Sequence, residues 1–345
     1  MKPPPRPTFL LLFTMFCASA ELRAGHVIFI SADGMRPDAV DVLGPEGAPN
    51  FHRLRQDGAY TSNARTDVTY TITLPNHTSM ITCRGVVGPE GHGWISNTDP
   101  KLGETLHRNR KGYAASFFDV AHDNGLRTAL YASKSKFSLY DISFDERTGA
   151  ADETGADNGK DKVDVFVGNE DTEQLVGQLI ASFSQNPADV TMLHLRDCDS
   201  AGHAETWNLT AGSPYLKALA KVDGLVGKLL DAIEATPGMK GDTWLILTAD
   251  HGGLTGTKGH GESKEHDNYT IPFYVWGPGV PAGKDLYDLN GTNRRQPGTA
   301  NPPYTAEKAP IRNGDAGNLI LSLLKLPAIP GSTINATQDL KVVME

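Results

Sequence analysis

Short apolar runs that stop at or just before a carboxylate are the feature that most limits what this chain can fold into. V-I-F-I-S-A-D closes on Asp33, and W-L-I-L-T-A-D-H closes on Asp250 and His251. V-T-M-L-H-L is followed within a few residues by Asp199. Each run is too short for a helix and reads as a buried strand. The segments between them change period. Residues 215–233 place Leu216, Leu219, Val222, Leu225, Val226, Leu229, Leu230 and Ile233 on one helical face. Further helices are expected over 50–58, 74–83, 114–124, 172–183 and 318–326, and further strands over 127–131 and 272–276. Strands alternating with helices imply an α/β fold, with a largely parallel central sheet covered by helices on both faces. Such sheets bind ligands beyond the carboxyl ends of their strands, which is where these acidic residues should lie.

The chain of 345 residues shows no internal repeat and no clear linker. A single catalytic domain is expected over 21–345, with irregular surface excursions near 138–162 and 281–313. Residues 1–20 read as a signal peptide. Lys2 and Arg6 form the basic start, a short apolar run follows, and Ala18-Ser19-Ala20 offers a cleavage site. Export to a periplasmic or extracellular space is therefore expected, and no segment is apolar enough to span a membrane once the signal is removed. The net charge of −9 argues against a nucleic-acid polymer as partner, because phosphate backbones need a basic footprint. A small phosphate ester stays open, since bound divalent cations reverse the local field. Cys83 and Cys198 either pair or stand as two buried thiols; spacing alone does not decide.

Three carboxylates and three imidazoles stand in these motifs: Asp33, Asp199 and His203 in D-S-A-G-H, Asp250 and His251 in A-D-H-G-G, and His260 in K-G-H-G. They suffice for two three-ligand metal sites with positions left open for substrate, and mixed imidazole and carboxylate donors suit zinc, then manganese or iron. Asp199 and His203 bracket a tight S-A-G loop, and Gly252-Gly253 is expected to let the backbone bend around Asp250 and His251. Thr73, in T-L-P-N-H, supplies a hydroxyl that metals can activate as a nucleophile. If a helix begins just after it, Thr73 is the N-cap and free N–H groups face an incoming phosphate. Asn97 is the expected amide donor to a non-bridging phosphate oxygen. His77 and His92 are read as structural. Together the residues point to hydrolysis of a phosphate ester.

As a set, T-L-P-N-H, E-G-H-G followed by Asn97, D-S-A-G-H and A-D-H-G-G resemble the alkaline phosphatase superfamily, in particular its nucleotide pyrophosphatase/phosphodiesterase (type I phosphodiesterase) branch. The resemblance runs from about His26 to Val280, and more weakly through R-N-G-D near Arg312; the interval from Thr73 to Asn97 is a few residues longer than in the branch. It implies an alkaline phosphatase-like fold and two divalent cations, zinc first. One would be held by Asp33, Asp250 and His251 beside Thr73, the other by Asp199, His203 and a last histidine. Phosphodiesterases favour His260 for that place; other superfamily members favour His266. The implied reaction cleaves phosphodiester or nucleotide pyrophosphate bonds through a phospho-threonine. A phosphomonoesterase or phosphonate hydrolase using the same metal pair is the rival. It would reward an extra cation near the site, for which Lys134 and Lys136 are candidates against the ordinary expectation of surface lysines. A metal-binding scaffold without catalysis is the reading from outside enzymology.

Overall fold

The computed structural model describes residues 25–152 and 160–344, so the expected signal peptide lies outside the described residues. Eight strands form one sheet: β1 His26–Ala32, β2 Ala59–Arg65, β3 Thr128–Ala132, β4 Val165–Gly168, β5 Val190–Leu195, β6 Thr243–Thr248, β7 Thr270–Trp276 and β8 Lys284–Asp285. Their order is β4-β3-β5-β1-β6-β7-β2-β8. β4 through β6 in that order pair in parallel, and β7 runs antiparallel to both of its neighbours. The α/β class and the mostly parallel sheet are those the alternating pattern implies.

The three strands followed by acidic residues are direct neighbours, with β1 between β5 and β6. Ala32 pairs with Leu195 and Ser31 with Thr248, so the three strands end level with one another. Every residue of β1 and β5 is buried, as strands covered on both faces require. The Pro214–Ala235 helix buries all eight of the apolar residues that its period places on one face. Its one buried carboxylate, Asp223, accepts from the Asn50 and Phe51 backbone N–H groups and so caps the Pro49–Asp57 helix.

Several local expectations are corrected. Ser138–Phe144 is a helix that buries Leu139, Tyr140 and Phe144 against the core, so the excursion near 138–162 begins as ordered structure. Within 281–313, β8 and the short Leu286–Leu289 helix extend the sheet edge before the irregular part begins. Asp199 and His203 lie on a helix, Asp197–Glu205, and not around a loop. Gly202 is the reason that this helix can pack where it does, since a Cβ there would stand 2.3 Å from the Trp207 ring. Cys83 and Cys198 are separate buried thiols.

Candidate metal centre

The chain ends of β1, β5 and β6 are stitched to one another. Asp33 N–H donates to Leu195 O, Asp199 N–H donates to Asp33 O, and Gly34 N–H donates to Asp250 Oδ1. Gly252 and Gly253 do not serve by unusual dihedrals, since neither has a positive φ. They serve by close approach: a Cβ would fall 2.0 Å from Asp267 O at Gly252 and 2.1 Å from the Trp207 ring at Gly253.

Each carboxylate at this edge commits one oxygen to the protein and leaves the other bare. Asp33 Oδ2 accepts from Lys134 Nζ at 2.6 Å and meets His194 Nε2 at 2.8 Å. Asp199 Oδ2 accepts from the same ammonium at 2.6 Å. Asp250 Oδ1 accepts from the N–H groups of Gly34 and His251. The opposite atoms, Asp33 Oδ1, Asp199 Oδ1 and Asp250 Oδ2, are buried without a hydrogen-bond partner.

The imidazoles follow the same rule. Nδ1 of His203, His251 and His260 faces the carbonyls of Lys258, Gly252 and Thr71, at 2.6, 2.9 and 2.5 Å. A carbonyl can only accept, so Nδ1 carries the proton and Nε2 presents a lone pair in the neutral ring. Yet His203 Nε2 and His260 Nε2 stand 3.2 Å apart. Two lone pairs at that distance need a proton or a metal cation between them, and Asp199 beside His203 favours the positively charged state of the pair. Outer partners that hold ligands in this way are characteristic of metal sites.

Distances sort the six atoms into two groups. Asp199 Oδ1 lies 3.3 Å from His203 Nε2 and 3.5 Å from His260 Nε2. His251 Nε2 lies 3.2 Å from Asp250 Oδ2 and 3.5 Å from Asp33 Oδ1. Ligands about 2.1 Å from one tetrahedral ion are about 3.4 Å apart, so both groups fit a small divalent cation. His251 Nε2 is also 3.7 Å from Asp199 Oδ1, so proximity alone admits Asp199, His251 and His260 as a set too. His203 is preferred for the second group because it is closer to both Asp199 and His260 than His251 is to Asp199. His266 lies elsewhere, beside Asp267 with its ring 43% exposed.

Without cations the site is electrostatically awkward. Burial, then the neighbouring Asp33, pushes the Asp250 carboxyl well above its usual range. Burial also opposes ionisation of Asp33, but Lys134 and His194 overcome it and hold that carboxyl low. Burial and His260 pull His251 down to about 3, which keeps its ring neutral and able to ligate.

Thr73 is the first residue of the Thr73–Thr82 helix, and Ile72 is the N-cap. The helix start is tied to this sheet edge from three sides. His77 holds Thr73 O through Nδ1 and Ser31 Oγ through Nε2, at 2.8 Å each. Asn313 Nδ2 joins Asn76 Oδ1 to the carbonyls of Ala249 and Asp250. Thr71 O holds His260. The Thr73 hydroxyl makes no hydrogen bond among the described residues. The expectation of open N–H groups needs amending, because Leu74 N–H donates to Asn97 Oδ1 at 3.0 Å. Asn97 thus caps the helix with its oxygen, and its NH₂ is left without a protein acceptor among the described residues. Lys136 Nζ donates to the same oxygen at 3.2 Å.

Lys134, Lys136 and His194 were weakly signalled or missed in the sequence. Lys134 is the second residue after β3, much as Asp33 directly follows β1, and His194 is a lone imidazole in an apolar strand; both departures from apolar pattern mark the site.

Residues 27–268 match the family model described as type I phosphodiesterase / nucleotide pyrophosphatase. Rat ectonucleotide pyrophosphatase/phosphodiesterase family member 1 is 29% identical over 244 residues, covering 68% of this chain and 24% of the relative. The chain thus spans about a quarter of the length of the curated relatives it matches first. Among solved structures, an inactive form of murine ectonucleotide pyrophosphatase/phosphodiesterase 5 in complex with AMP superposes with a TM-score of 0.59 at 17% identity, covering 89% of this chain and 96% of the other. A putative sulfatase from Bacteroides fragilis shares the fold at a TM-score of 0.56 and 13% identity, covering 92% of this chain and 78% of the other.

Proposed function

Because this chain belongs to the type I phosphodiesterase/nucleotide pyrophosphatase family, we propose that it is a metal-dependent hydrolase of phosphodiester or nucleotide pyrophosphate bonds, with Thr73 as its nucleophile. The observation that carries the reading is the set of six donor atoms facing a common space, four of them buried without a hydrogen-bond partner and the Nε2 atoms of His203 and His260 3.2 Å from each other, while the other polar atom of each side chain is held by the protein. Asp33, Asp250 and His251 would hold one cation and Asp199, His203 and His260 the other, with zinc favoured by the donor set. When bound, the two cations supply Lewis acidity that lowers the cost of ionising the threonine hydroxyl and of charging the leaving oxygen.

The chain's own residues do the rest. Thr73 Oγ attacks phosphorus, and the bond to the leaving oxygen breaks. The Asn97 NH₂ donates to a non-bridging oxygen as negative charge builds there. His77 and Asn97 fix the helix start, so the hydroxyl is positioned before substrate arrives. Water then cleaves the phospho-threonine and restores the hydroxyl. The murine relative bound to AMP supports a nucleotide as one substrate. The basic start and apolar run of residues 1–20 support export ahead of the reaction.

The test is turnover of an aryl phosphodiester and a dinucleoside pyrophosphate by zinc-loaded wild type and Thr73→Ala. Wild type should turn over both, and the variant should lose at least about a thousandfold while keeping its zinc. Comparable rates in the variant would refute the nucleophile. Retained zinc with no turnover by wild type would favour the scaffold reading.

A further inference from the structure

A polar cavity of about 480 Å³ lies between residues 88–93 and 109–113 and has no part in the chemistry above. Its volume falls within the roughly 300–1,000 Å³ of small-molecule sites. One wall is the G-P-E-G-H-G segment beyond the Thr73–Thr82 helix, and the other is the end of the Leu106–Arg110 helix with Lys111. His92, in the first wall, meets Ser79 Oγ at 3.1 Å. Ser79 lies six residues beyond Thr73, or about 9 Å along the helix axis. No acidic side chain lines the cavity. Glu90, the acid within the glycine wall, leans toward Arg84 at 3.8 Å with its side chain 72% exposed.

The cations at this cavity have no other task in the folded chain. Arg110 and Lys111 both line it, and neither forms an ion pair among the described residues. Arg110 gives one donor to Tyr113 O at 3.2 Å. Neither cation is needed to close its helix, because the Lys111 and Gly112 N–H groups already reach Arg108 O and His107 O. Arg84 adds a third positive charge nearby: burial, and then the neighbouring Arg110, pull its guanidinium below the ordinary value. Beyond the cavity, Asp119 accepts from the Tyr113 hydroxyl, and burial pushes its carboxyl up to about 7. The chain as a whole carries −9, so this gathering of positive charge runs against its average.

The backbone agrees. Lys111 has a φ of 60°, a left-handed conformation that glycine or asparagine adopts at less cost. The strain is kept for a side chain that no group in the described residues engages. Across the cavity, Gly88 has a φ of 103°, open space where a Cβ would stand, and an N–H without an acceptor among the described residues. Asn109 adds a side-chain amide, with Nδ2 3.5 Å from where a Gly93 Cβ would lie.

We propose that this cavity is a binding site for a small phosphorylated molecule, apart from the Thr73 centre, with Arg110, Lys111 and the Gly88 N–H holding the phosphoryl group. A guanidinium fork and a mobile ammonium match the oxygens of such a group, and the bare glycine wall lets it approach the backbone. The cavity leaves room for what the phosphoryl group is attached to, whether a soluble ester or a lipid headgroup. The inference does not rest on the threonine mechanism.

The experiment is hydrogen exchange read by mass spectrometry on zinc-loaded wild type, Lys111→Gly, the double variant Arg110→Gln with Lys111→Gly, and Thr73→Ala. The soluble probes are inorganic phosphate and glycerol phosphate; the lipid probes are phosphatidylcholine vesicles with and without phosphatidic acid. A probe that binds should slow exchange across 85–93 and 108–113 in wild type. It should bind at least about tenfold more weakly to Lys111→Gly and leave the double variant unprotected. Lys111→Gly relieves the left-handed strain, so it should melt at or above the wild-type temperature, which separates lost binding from lost folding. Diester turnover should stay near wild type in both cavity variants, and Thr73→Ala should be protected as wild type is, so failure of the nucleophile leaves this test intact. Protection by the soluble probes assigns the site to a soluble ester, and protection only by vesicles with phosphatidic acid assigns it to a lipid headgroup. No protection by any probe, or equal protection in the double variant, would overturn the proposal. Turnover falling in step with binding would also overturn it, by making the cavity part of the Thr73 centre.

Discussion

Stripping metal should cost this protein much of its stability, because the site is built around charges that the chain alone does not balance. Asp33, Asp199 and Asp250 are buried together, and Lys134 answers two of them with a single ammonium. Asp250 has no cationic hydrogen-bond partner, and burial with Asp33 beside it drives its carboxyl toward the protonated form. A ligand that binds only the folded state stabilises it by about 4 kcal/mol when present at about 1,000 times its dissociation constant, so two cations contribute about 8 kcal/mol. At about 2 °C per kcal/mol for a chain of this size, the melting temperature should fall by about 15 °C on chelation. The assay is a melt followed by circular dichroism before chelation, after chelation and after zinc is returned, with metal content read by mass spectrometry. If the centre holds two cations as proposed, His260→Ala should reduce the retained metal toward one ion per chain. A melting temperature unchanged by the chelator, in protein that retains no metal, would show that the six donors are content without cations and refute the reasoning.

Other outcomes follow from single contacts. Gly252→Ala should destabilise the fold by about 3 kcal/mol or more, since its Cβ would meet the Asp267 backbone oxygen at 2.0 Å; chemical denaturation checks this. His266→Ala should leave zinc content and turnover near wild type, because its ring lies outside the donor groups, and metal analysis beside a rate assay decides. Asp119 titrates higher in the folded state, at about 7, chiefly because it is buried against only partial compensation from Tyr113 and Ser116. Its ordinary value of about 3.9 applies when unfolded. The stabilisation it gives is complete below that lower value and is lost as pH rises toward 7, at about 1.4 kcal/mol per unit. The stability difference between wild type and Asp119→Asn, measured by denaturation from pH 4 to pH 8, should therefore fall with pH and level off above 7. A flat difference would refute the assignment.

Much of the sheet was legible because its central strands are buried on both faces and must be written almost wholly in apolar residues. β2 and β4 were not, and for opposite reasons of place. A-Y-T-S-N-A-R pairs antiparallel with β7 near one sheet edge and needs apolar cover only at alternate points, while β4 closes the other edge and is half-exposed throughout. The Asp197–Glu205 helix escaped notice because D-C-D-S-A-G-H has no apolar stripe. Its packing rests on Gly202 fitting under Trp207, a contact between residues too close in sequence to leave a periodic mark.

The chain by itself determined the α/β alternation and the kinds of donor atom, since burial on two faces and metal-ligating chemistry each permit few residue types. Only the folded arrangement decided that β5, β1 and β6 are neighbours, and hence that residues over 200 positions apart share one edge. It alone turned Lys134 inward between two aspartates, placed His260 and not His266 beside Asp199, and set two imidazole nitrogens face to face. The reason is range: periodicity and propensity act over a few residues, whereas charge balance and coordination depend on distances of about 3 Å between atoms that strand order, not sequence spacing, brings together.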